Sequence, residues 1–187
     1  MRVQIRIPDI AGLFAKFPLA VTRAARKAGS SAIRAVRVES GRAVRARKQL
    51  RVRTVNAALK VSRQPPAGTP LASLEWRMTA ADKGTRVIDY ARPRQGPIGV
   101  TVGINVGSRA LIKSAFIATM KSGHVGVFKR EGTARLGIKE LFTSRVTDVF
   151  RDSGMLPAVE ARGAAEFTAT FNRVLPMELK RVGSRRV

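Results

Sequence analysis

The chain has 187 residues, with 36 Lys and Arg against 12 Asp and Glu, and a net charge of +24. At 44% hydrophobic it is too apolar for a disordered basic tail, and its length allows a sizeable core in one or two small domains. Zero cysteines exclude disulfides, thiolate metal sites and cysteine nucleophiles, and a field of this sign points to a polyanion or a charge-compensated assembly.

The charge is uneven: residues 1–70 hold 16 basic and two acidic side chains, whereas residues 71–187 hold 20 and ten. No uncharged apolar run of about 18 residues exists, and Lys16 and Pro18 interrupt the early stretch Ile10–Val21 without a small-residue cleavage site. The expectation is a soluble chain with no signal peptide and no membrane segment.

From Pro18 to Val38 the positions Val21, Ala25, Ala28, Ala32 and Val36 recur at three- or four-residue spacing and line one face of a helix. Arg23, Arg26, Arg34 and Arg37 fall on a separate stripe. Such a stripe is most often a solvated face. Here it has no acidic partners one turn away, so neighbouring guanidinium groups repel unless something negative lies opposite. Glu39, Ser40 and Gly41 read as a helix break, after which Arg42, Arg45, Arg47, Lys48, Arg51 and Arg53 continue the charge. The candidate surface for a phosphate backbone, or for protein docking, is therefore Arg23, Arg26, Lys27, Arg34, Arg37, Arg42, Arg45, Arg47 and Lys48.

From Leu50 the pattern shifts toward alternation, with a short strand at Ala58–Ser62, and the three prolines of residues 64–70 mark a loop or linker. Strands are then expected at Leu71–Met78, at Arg86–Tyr90, and at Gly99–Val106 with its alternating Val100, Val102, Ile104 and Val106. The run Ala110–Met120, the turn Lys121–Gly123 and the segment His124–Phe128 read as strand, turn, strand. A C-terminal helix follows, with Leu156, Val159, Gly163, Phe167, Phe171 and Val174 on one face, Pro157 in its first turn and Pro176 near its end. The class is α+β: an N-terminal basic helix, a central antiparallel sheet, and a C-terminal helix packed on the sheet. The chain divides into a basic, mainly helical segment 1–63, the Pro-rich linker or loop 64–70, and the sheet with its helix at 71–187, together expected as one compact domain.

Catalytic chemistry has little support. The single histidine, His124, has no second His or any Cys to share a metal, and no carboxylate pair stands at acid/base or Asp-x-Asp spacing. The expectation is no catalytic, cofactor-binding or metal-binding residue, with His124 structural. Gly96, Gly99, Gly103 and Gly107 match no phosphate loop and read as bulges and turns. Between Phe17 and Trp76 no aromatic residue interrupts the basic region, so a nucleic acid would be held by its phosphates, without sequence preference and with strong salt dependence.

The stretch Ala115–Arg130, AFIATMKSGHVGVFKR, followed by RLGIKEL at Arg135–Leu141, resembles the core signature of the minor tail protein Z family of long-tailed bacteriophages. The residues that carry it are Phe116, Met120, Gly123, His124, Gly126, Phe128, Arg130 and Arg135. Gly137 stands where the family has Pro, and Phe142, Thr143, Ser144 stand where it has Gly-Pro-Ser. The resemblance implies a virion component that completes the head-proximal end of the tail. Its implied form is a ring, plausibly six-fold, in the neck around the DNA channel, with the tail terminator and head–tail connector as partners. The tail terminator itself, or a free sequence-independent DNA-binding protein, is the alternative. An enzyme acting on DNA or cell wall fits the sparse carboxylates least.

Overall fold

The computed structural model describes residues 16–63, 65, 66, 69–132 and 137–183. Helix α1, Pro18–Arg47, is built on a four-residue ridge: Ala20, Ala24, Ala28, Ala32, Val36, Ser40 and Val44 are all fully buried. The expected face is there, but the break at Glu39–Gly41 is not. Ser40 and Gly41 both lie on the buried side, so burial of the continuing ridge outweighs the cost of about 1 kcal/mol for a glycine inside a helix. Arg45 and Arg47 occupy the last turn, where cations suit the free carbonyls.

The described residues fall into two compact units: those within 1–40, 59–79 and 153–187 form one, and those within 41–58 and 80–152 the other. In the first, strand β1 (Leu59–Arg63) pairs with β2 (Arg77–Ala80), and the long helix Leu156–Gly183 packs against α1. Phe167 and Phe171 of that helix, rings stacked at 5.9 Å, sit on the small face made by Val21, Ala24, Ala25, Ala28 and Ala32. Large rings against alanines give the interdigitation that dense packing needs.

Two expectations change here. Residues Leu71–Ser73 form a 3-10 turn and the strand begins only at Arg77. Such a turn brings Leu71 and Leu74 to one side, where both pack against the α1 core. The C-terminal helix does not stop near Pro176 but runs through it to Gly183. Asn172 and Pro176 are both exposed, so the carbonyl that loses its amide partner remains open to water.

In the second unit, helix α2 (Val52–Ala58) replaces the expected alternation, its first turn closed by the amides of Thr54 and Val55 on the Arg51 carbonyl. Ahead of it, Lys48 and Leu50 bridge to Asn105 and Tyr90. The strands are β3 (Gly84–Arg86), β4 (Ala91–Gln95), β5 (Gly99–Gly103), β6 (Ala110–Lys113), β7 (Ala115–Thr119), β8 (Val125–Arg130), β9 (Ile138–Glu140) and β10 (Phe142–Arg145). They form three small antiparallel sheets, ordered β10-β3, β4-β5-β6 and β7-β8-β9.

Arg86–Tyr90 is not a strand throughout. Val87–Asp89 make a 3-10 turn, clamped by the Arg86 guanidinium donating twice to the Asp89 carboxylate at 2.9 and 3.1 Å. The apolar run Ala110–Met120 is two strands in two sheets, split at Ser114, whose φ of 61° turns the backbone. Gly99–Val106 holds strand geometry only to Gly103, because the Ile104 carbonyl accepts the Gln49 amide instead. Helix α3, Val146–Ser153, was not foreseen. It buries Val146, Val149 and Phe150. The long C-terminal helix, α4 in chain order, completes an α+β fold with helices at both ends and antiparallel sheets between them in sequence.

Candidate functional site

The nine basic residues singled out from sequence are divided between the two units. Arg23, Arg26, Lys27, Arg34 and Arg37 belong to the first unit, while Arg42, Arg45, Arg47 and Lys48 belong to the second. Four of the first group line one cleft of about 590 Å³ together with Ser30, Pro65, Trp76, Glu178 and Arg181. Arg37 points elsewhere and is half buried.

The cleft is organised around one acid. Glu178 has a side chain only 3% exposed, and its Oε1 accepts a hydrogen bond from Lys27 Nζ at 2.7 Å, with Arg23 Nη1 at 4.0 Å from Oε2. The Lys27 hydrogen bond pulls the carboxyl below its ordinary range of about 4.5; burial opposes this, and the fields of Lys27, Arg181 and Arg23 reinforce it. Glu178 is therefore ionised at neutral pH, one carboxylate facing five cations. Arg26 donates to the Pro65 carbonyl at 3.3 Å and Arg34 to the Ser30 carbonyl at 3.0 Å, which aligns both guanidinium groups along the cleft wall.

A second acid on α4 ties the same helices. Glu166 Oε1 accepts from Ser31 Oγ at 2.8 Å and Thr170 Oγ1 at 3.1 Å, and these bonds hold its carboxyl below the usual value as well. Both groups have depressed folded-state pKa values, so their stabilisation is full above about pH 4.5 and is lost as pH falls through the folded values. The urea midpoint should accordingly be level from pH 7 to 5 and fall below about pH 4.5, and Glu178→Gln should make that acid limb shallower.

Sequence reasoning missed Glu178, Arg181 and Trp76 as members of this cleft. Glu178 meets Lys27 across 151 positions, and no local pattern announces such a pairing. In the second unit, Arg47 and Lys48 line a separate cleft of about 460 Å³ with Asn105 and Asp148, where Lys48 Nζ donates to Asn105 Oδ1 at 2.8 Å. Arg42 and Arg45 are exposed, and Arg45 Nε donates back to the Gly41 carbonyl.

The residues of the sequence signature do converge. Phe116 and Phe128 stand opposite each other on the β7–β8 hairpin with ring centroids 6.2 Å apart, and the Arg130 guanidinium lies 5.6 Å over the Phe116 ring. The turn closes through Gly123, at φ 80°, whose amide donates to the Met120 carbonyl; the Met120 amide donates to His124. His124 Nε2 lies 3.0 Å from Glu140 Oε2 on β9, and its ring meets Phe128 edge-on at 6.4 Å. The cluster therefore staples three strands, with His124 on β9's Glu140 and on the Phe128 ring. Arg135 lies outside the described residues.

Gly126 shows why this hairpin needs its glycine. A Cβ there would come within 2.8 Å of both Glu140 Oε1 and the Phe128 ring. Gly126→Ala should cost about 1–3 kcal/mol by displacing both, as seen in urea unfolding followed by circular dichroism.

Among the described residues no group of three or more His, Cys, Asp or Glu could hold a metal ion, and no helix is long and apolar enough to cross a membrane. No curated protein and no solved structure matches the chain. The family model of prophage minor tail protein Z matches residues 16–181, from the start of α1 to the cleft residue Arg181, and the chain belongs to that family.

Proposed function

We propose that this phage minor tail protein completes the head-proximal end of a long tail, as a ring in the neck that joins tail to head around the DNA channel. Its role is structural, within the virion and in the host cytoplasm during assembly, with the tail terminator and head–tail connector as neighbours. The family match carries the reading, because it runs through the cationic cleft and the signature hairpin alike.

Charge supports a place in an assembly. A chain at +24 repels itself in isolation and gains when acidic protein or DNA lies opposite. Ile98, Val106, Leu111 and Phe142 are large, apolar and exposed in the second unit, and supply surface for contacts between copies.

Imaging intact particles and locating this chain along the head-to-tail axis tests the reading. A multi-copy ring, plausibly of six, between the tube and the head is the expected result. One copy per particle in native mass spectrometry would remove the ring, and density at the distal tip would remove the completion role. Density capping the tube itself would make the chain the terminator.

A further inference from the structure

A second concavity adjoins the cationic cleft in the first unit. Pro18, Leu19, Thr22, Thr69 and Pro70 line about 640 Å³ of it, and Arg23 and Arg26 border both spaces. The two make one trough along α1. Its first part is apolar, with Leu19 52% exposed, and its second is cationic, with Lys27 and Arg34 exposed on the wall.

The cationic part is left incomplete by the chain itself. Trp76, only 3% exposed, lines it with an indole N–H that has no acceptor. Buried polar atoms without partners are rare in folded proteins, and a carboxylate oxygen is the kind of acceptor this N–H lacks. Five cations around a single carboxylate select an anionic occupant.

We propose that the trough docks an extended segment of a partner protein in which acidic residues follow apolar ones. Apolar side chains would rest on Leu19 and Pro70, and carboxylates would pair with Arg26, Lys27 and Arg34. Guanidinium forks match carboxylates in two-point contacts, and an extended peptide can reach both parts of the trough. Duplex DNA fits less well. Its phosphates are the groups it offers to cations, and it would gain nothing from the apolar part. A second copy of this chain would bring more of the same charge, 36 basic residues against 12 acidic. The proposal rests on the structural role above but names its contact.

Trp76 is the only tryptophan, so the trough carries its own reporter. The test titrates full-length protein with a short synthetic peptide, Leu-Pro followed by alternating Glu and Asp, at physiological salt, and in parallel with a short duplex DNA. The expected result is a change in Trp76 emission with peptide. Arg26→Gln with Arg34→Gln should weaken the peptide at least about tenfold and Leu19→Ser severalfold, whereas the off-trough pair Arg51→Gln with Arg53→Gln, both exposed, should cost less than about threefold. Unchanged urea midpoints establish that each variant is folded. Three outcomes overturn the proposal: no emission change with peptide, equal losses in the two double variants, or duplex DNA responding to the trough substitutions while the peptide does not. Failure of the neck reading would show in the particle images and leave these titrations as they stand.

Discussion

Phe167→Ala is expected to lower the stability of the first unit by about 3–5 kcal/mol, the largest single effect of any substitution considered. The ring is 1% exposed and stacks on Phe171 with an interplanar angle of 10°. Its other neighbours are Val21 and the alanines of α1. Alanine has no rotamer with which to fill a vacated space, so the cavity would collapse poorly and the cost should fall toward the upper end of that range. Trp76 lies in this unit, and its emission reports the unit's urea midpoint directly. A loss below about 1 kcal/mol would mean that α1 and α4 close up around the gap.

Gly29→Ala and Gly41→Ala should move stability in opposite directions although both glycines lie inside α1. Helix propensity alone favours alanine by about 1 kcal/mol at each. At Gly29 the added Cβ would fall on the Trp76 ring, against Cε2, Cζ2 and Cη2. Trp76 is buried, so it yields only by disturbing the core around it, and the net effect should be a loss of about 1–3 kcal/mol. At Gly41 the nearest neighbour is Val55 Cγ1 at 3.8 Å, an ordinary contact. There the propensity gain should survive as about 0.5–1 kcal/mol of added stability. Thermal and urea unfolding of the two single variants checks both signs.

Those two glycines also mark how far local reasoning reaches. Glu39–Gly41 reads as a break because serine and glycine are poor helix formers. Ser40 lies between the fully buried Val36 and Val44 in the four-residue ridge, and burial of those valines keeps the helix intact although the Ser40 hydroxyl is buried without a partner. Val52–Ala58 reads as alternation, yet coils once the carbonyl of Arg51 captures two amides and Val55 is buried. Pro176 reads as an end, but a proline on the exposed side of a helix held by Phe167 and Phe171 is tolerated.

The sequence by itself determined the α+β class, the apolar face of α1, the strand–turn–strand through Lys121–Gly123, the apolar face of the C-terminal helix, and the family. Each depends on residues within a turn or a hairpin of one another, where periodicity and glycine placement act directly. Tertiary structure decided which cations share a surface. The basic run from Arg23 to Lys48 is continuous in sequence, but of its members Arg23, Arg26, Lys27 and Arg34 line the cleft with Arg181, Trp76 and the buried Glu178. The reason is that charge is additive along a chain while a site depends on burial and on partners far away, as Lys27 and Glu178 are.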